Sequence, residues 1–146
     1  MNYKRRIFIL TLLLITGSSA FLFAKAQLDK GMRYVIYAGR GEITAVTSSP
    51  NQGRIMLIET DDKVTVIPQK GEPHKQEMRP FLVNWPEFNP KGAVTFQFNE
   101  KDVHLELTCS NPYYEQASGI LTFDIFSSTS LIPYHDIYEV HLYIHD

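Results

Sequence analysis

Cysteine is nearly absent: Cys109 is the only one in 146 residues. With no partner in the chain, it leaves the fold independent of any internal disulfide, and no Cys-x-x-Cys pair exists. Other catalytic signatures are missing too. There is no Gly-x-Ser-x-Gly elbow, no His-Glu-x-x-His and no Walker loop. Gly39-Arg40-Gly41 has no third glycine, no following lysine and no helix to open, so it does not read as a phosphate cradle. A blue-copper site fails as well, because Cys109 is followed by no histidine until His135 and by no methionine. No catalytic residue and no cofactor is assigned, and the chain does not read as an enzyme.

Long apolar runs are also scarce; the one present is at the start. Lys4, Arg5 and Arg6 precede the run Ile7 to Ile15, polar residues break it at Thr16 to Ser19, and Ala24-Lys25-Ala26 offers an A-x-A site before Gln27. This layout predicts a secretory signal peptide over 1–26 and a single mature domain over 27–146. An uncleaved anchor is the alternative, since Ile7 to Ala24 is long enough to cross a bilayer if tilted. No cysteine follows the run to carry a lipid. Export places the protein in the periplasm or outside the cell. Losing residues 1–26 removes four of the fourteen basic side chains and none of the sixteen acidic ones, leaving a net charge of −6. A basic footprint for nucleic acid or for anionic lipid is therefore lacking, and neither partner is expected.

What is plentiful is alternation. In Val103 to Phe126, residues Val103, Leu105, Leu107 and Cys109 alternate with polar ones, and Leu121, Phe123 and Ile125 do the same. A period of two marks strands with one face in a core. Between them, Asn111-Pro112 and Ser118-Gly119 supply turn signals. The favoured register sets His104 opposite Asp124, Glu106 opposite Thr122 and Leu105 against Phe123. The competing register would set Glu106 against Asp124, a like-charge contact useful only for holding a cation.

Further strands are predicted on both sides. Met32 to Tyr37 and Glu42 to Thr47 are divided by the glycines as a bulge or turn. Arg54 to Thr60 and Val64 to Pro68 read as a hairpin through Asp61-Asp62-Lys63. Ala93 to Phe98 and Ile137 to Ile144 complete the set. Met78, Phe81, Leu82 and Trp85 recur at helical spacing, with Pro80 suited to a first turn and Pro86 ending it. The expected fold is all-β, a two-sheet antiparallel sandwich of seven to eight strands with one short helix or 3₁₀ turn near 79–85. Trp85 would cover one open end of the core. An up-and-down barrel is the alternative.

Trp85-x-x-Phe88, Ala93-Val94-Thr95-Phe96, Leu105-Glu106-Leu107, Asn111-Pro112-x-Tyr114 and Gly119-x-Leu121-Thr122-Phe123-Asp124 resemble a pattern in uncharacterised exported bacterial β-sandwich proteins. The resemblance covers about residues 85–126 and implies fold, not activity. Cys109-Ser110 departs from the pattern.

Two sets of side chains are candidates for function. Exposed tyrosines, Tyr113, Tyr114 and Tyr143, offer large contact area at small entropic cost, which suits surface contact with a protein or glycan. Of the five histidines (His74, His104, His135, His141 and His145), His141 and His145 share a strand face about 13 Å apart. A metal site would need His104 or Glu106 brought alongside, so His104, Glu106, His141 and His145 form an alternative, metal-binding set. The sequence does not fix the oligomeric state.

Overall fold

The computed structural model describes residues 31–86 and 89–145, so the expected leader and its boundary at Gln27 lie outside the described residues. The elements are β1 (Arg33–Val46), β2 (Ser49–Thr60), β3 (Lys63–Ile67), β4 (His74–Glu77), α1 (Met78–Val83), β5 (Lys91–Phe98), β6 (Lys101–Glu115), β7 (Ile120–Phe126) and β8 (Tyr134–His145). The all-β expectation holds, with eight strands and one short helix among the described residues. The expected division into two sheets does not appear. One hydrogen-bonded sheet runs β2-β7-β6-β5-β8-β1-β3-β4, and β2 pairs again with β1. That added ladder closes β1, β2, β7, β6, β5 and β8 into a ring of antiparallel strands. Alternation marks the buried side of each strand. It cannot tell two stacked sheets from opposite walls of one ring.

Within the ring one slip of the alternation runs through three neighbouring strands together. Inward residues of β1 are Tyr34, Ile36 and Ala38, then Gly41 and Ile43. In β8 they are Ile144, Leu142 and Val140, then Ile137; in β2 they are Ile55 and Leu57, then Thr60. Glu139 and Glu59 sit at the slips in the left-handed region, with φ of 52° and 61°. The registers place them on either side of Gly39. A residue of that conformation bends an extended strand and turns the next side chain to the other face. The glycines are thus a bend inside one 14-residue strand, not a turn between two. At the β1–β2 seam the backbones approach closely. A Cβ on Gly41 or Gly53 would strike the carbonyl oxygen of Met56 or Thr44, so only glycine fits.

The expected hairpin between β2 and β3 is absent. Both strands lie along the same edge of β1, β2 on its second half and β3 against Arg33–Val35. Asp61 N–H donates to the Tyr37 carbonyl at 3.0 Å, continuing the ladder across the break. The chain bends at Asp61-Asp62 because β7 takes the far side of β2, while β4 takes the far side of β3.

Both ends of the ring are closed by aromatic rings. Helix α1 buries Met78 and Phe81; Phe81 packs on Tyr34 at 4.9 Å and edge-on against Trp85 at 5.8 Å. Trp85 in turn lies 5.1 Å from Phe123, covering the core as its helical spacing predicted. Elsewhere Tyr134 sets its ring against Phe96 and Phe98, at 5.0 and 5.1 Å. Cys109 is fully buried, in line with Leu107.

The β6–β7 ladder follows neither expected register. Ser110 faces Asp124 and Cys109 faces Ile125, then a shift brings Tyr113 opposite Thr122 and Glu115 opposite Ile120. His104 instead faces Thr95 of β5, and Glu106 faces Ala93. The reason is that Asn111-Pro112 is not the turn. Asn111 adopts φ 50° and makes a bulge, β6 continues to Glu115, and Gly119 at φ 71° closes a loop of four residues, 116–119.

Candidate functional site

The outward side chains of β6, β5, β8 and β1 form a grid fixed by the registers. Thr95 on β5 faces His104 on β6 and His141 on β8, and His141 faces Tyr37 on β1. One step along the strands, Gln97 faces Asp102 on one side and Tyr138 on the other. The slip at Glu139 brings Tyr138 to the outer face as well, and the Glu139 carboxylate lines the same concavity as His141. The result is a trough of about 450 Å³. Thr95 and Gln97 form its floor, Asp102 and His104 one wall, Glu139 and His141 the other. Two strand spacings separate the walls, about 10 Å between backbones.

The β8 wall is held in place. Tyr37 donates its hydroxyl to Glu139 at 2.8 Å. The bond raises the Tyr37 pKa; burial and the negative charges of Glu139, Asp61 and Glu59 add to the effect. The Tyr37 ring lies 5.0 Å from the His141 ring, which stacks on Tyr143 at 6.3 Å with planes 19° apart. Tyr37, His141 and Tyr143 thus make a ladder of rings along one side of the trough. On the opposite wall, His104 Nε2 is 3.8 Å from the Glu106 carboxylate. Gln97 donates to Asp102 at 3.5 Å across the floor.

The candidates from sequence separate on this grid. Tyr143 belongs to the ladder. Tyr113 is 66% exposed but lies past the bulge of β6, opposite Thr122. Tyr114 turns inward and packs against the core, with the Arg79 guanidinium 5.9 Å from its ring. Its pKa is raised, first by burial and then by the charge of Asp62. The alternative metal set does not converge. His104 and His141 stand on opposite walls, Glu106 points along β6, and His145 faces Lys91 and Arg33. Imidazole nitrogens must approach zinc to about 2 Å. Among the described residues no group of three or more His, Cys, Asp or Glu is gathered closely enough to hold a metal ion.

Sequence reasoning missed Asp102, Glu139, Thr95 and Gln97. Thr95 and Gln97 carry no signal of their own. They matter because β5 pairs with β8, some forty positions away in the chain. Glu139 keeps the outward phase of His141 and Tyr143; what the slip changes, and a strict period of two hides, is that Tyr138 joins them outside while Ile137 turns in.

No helix among the described residues is long and apolar enough to cross a membrane. The chain matches no known protein family, no curated protein and no solved structure.

Proposed function

We propose that this chain is an exported, non-catalytic β-domain that works by surface contact with a protein or glycan through the outer face of β5, β8 and β1. Export rests on the basic, apolar and A-x-A order of residues 4–26. The observation that carries the contact reading is the trough with its ring ladder. Hydroxyl, amide, imidazole and carboxylate groups converge on one concavity, and Tyr37, His141 and Tyr143 stand beside it. Aromatic rings give contact area at low entropic cost, and fixed polar groups give orientation.

The test is amide NMR of residues 27–146 titrated with a panel of neutral, acidic and basic oligosaccharides and peptides. Binding at this face moves a contiguous set of signals including Thr95, Gln97, His141 and Tyr143, and His141→Ala with Tyr143→Ala abolishes it. Shifts confined to another face, or none with any probe, overturn the reading.

A further inference from the structure

The trough is lined by two carboxylates and by no lysine or arginine. Each wall carries one carboxylate beside one imidazole: Asp102 with His104, Glu139 with His141. A phosphate, sulfate or uronate in this space would meet both carboxylates with no cation to offset them. A neutral sugar would bring only hydroxyls to groups that Tyr37 and Gln97 already partly satisfy. A protonated amine or guanidinium fits the charges that remain. It can be approached by a carboxylate from either wall.

We infer that the occupant of the trough is a lysine or arginine side chain of a partner protein, held between Asp102 and Glu139 with its neighbouring residues laid on the Tyr37–His141–Tyr143 ladder. This rests on the contact reading above and narrows it to one class of ligand. Two further features favour it. The mature chain carries a net charge of −6, which draws a basic partner in from a distance. The Glu139 carboxylate is held by the Tyr37 hydroxyl, so it requires little reordering on binding. The same outer face turns basic further along, where Lys91 and Arg33 flank His145. From Gln97 to Lys91 is about 20 Å along β5. A partner segment lying along β5 would accordingly carry its basic residue at the Asp102 end and no second one at the Lys91 end.

The experiment measures affinity for a lysine-containing peptide, a neutral oligosaccharide and a glutamate-containing peptide, with amide NMR to locate each. The lysine peptide is expected to shift Thr95 and Gln97. Asp102→Asn with Glu139→Gln should weaken it about tenfold or more, and added salt should weaken it too. Glu72→Gln with Glu115→Gln removes the same charge away from the trough and serves as the control; it should change affinity by no more than about twofold. Asp102→Asn alone, which leaves the Tyr37–Glu139 bond intact, should still give a clear loss. Equal weakening by both charge-matched pairs would mean non-specific attraction and overturn the inference. Binding of the neutral oligosaccharide at Thr95 and Gln97 without the lysine peptide would overturn it while leaving the contact face standing. Shifts elsewhere, or none, would remove both.

Discussion

Cys109 shows how far a single residue can be read from its neighbours. Its phase with Leu105 and Leu107 places it inside, and it is fully buried. Desolvation lifts its thiol from an ordinary 9.0 to about 12. Above pH 9 the unfolded chain releases this proton while the folded protein keeps it. The stability it contributes is therefore complete below 9.0 and is lost as pH climbs through about 12. Over that window it should fall by up to about 1.4 kcal/mol per pH unit. Cys109→Ala should flatten the curve by that slope, as measured by urea unfolding between pH 8 and 11.5. Tyr37 and Tyr114 titrate in both proteins and cancel in the difference. Parallel curves, or rapid thiol labelling of the native protein, would refute a buried thiol. The residues of the trough were less legible. His104 and His141 are visible as outward side chains, but their shared neighbour Thr95 depends on two ladders that no local pattern encodes.

At the scale of elements, α1 was legible because apolar residues at helical spacing stand before Pro86, and Trp85 lies where that spacing sends it. The β6–β7 register was not. Asn-Pro is a turn signal in isolation, yet here it forms a bulge, and the strand runs on through Tyr113 and Tyr114 to Glu115. Tyr114 joins the core while Tyr113 faces out. Asn111 secures this bulge in two ways. It tolerates the left-handed backbone at φ 50°, and its amide donates to Asp124 at 2.8 Å, where Arg54 also binds at 3.3 Å. Asn111→Gly keeps the backbone and loses only an exposed hydrogen bond, so it should cost under about 1 kcal/mol. Asn111→Val adds a β-branched residue at positive φ and should cost about 2–3 kcal/mol more. Denaturant midpoints of the two variants measure the gap, and equal midpoints would mean the bulge is not strained by ordinary side chains.

At the scale of the molecule, closure is what the sequence concealed. Alternation fits a sandwich as well as a ring, because both bury the same side of each strand, and Arg54 to Thr60, apolar on both faces, fits a central strand of either. The difference lies in the seam. A sandwich leaves β1 and β2 with open edges unless they pair, whereas here β1 carries β8 on one side and β2 on the other over Ala38–Val46. Strands of a closed ring expose no edge, so their amides open only when the ring itself does. By contrast β4 is an edge strand among the described residues: four residues, His74–Glu77, mostly exposed and paired there with β3 alone. Short length and a Lys75 pointing to solvent are what protect such an edge from pairing with another chain. Hydrogen exchange should therefore divide the sheet in two. Amides of Arg54 and Met56, which lie in the β1–β2 seam, should be as slow as those of Val94 in β5. Those of β4 should exchange faster by at least about a hundredfold, a gap of roughly 2.7 kcal/mol in opening free energy. Seam amides as fast as those of β4 would mean that β1 and β2 part readily, and the ring would then behave as two sheets after all.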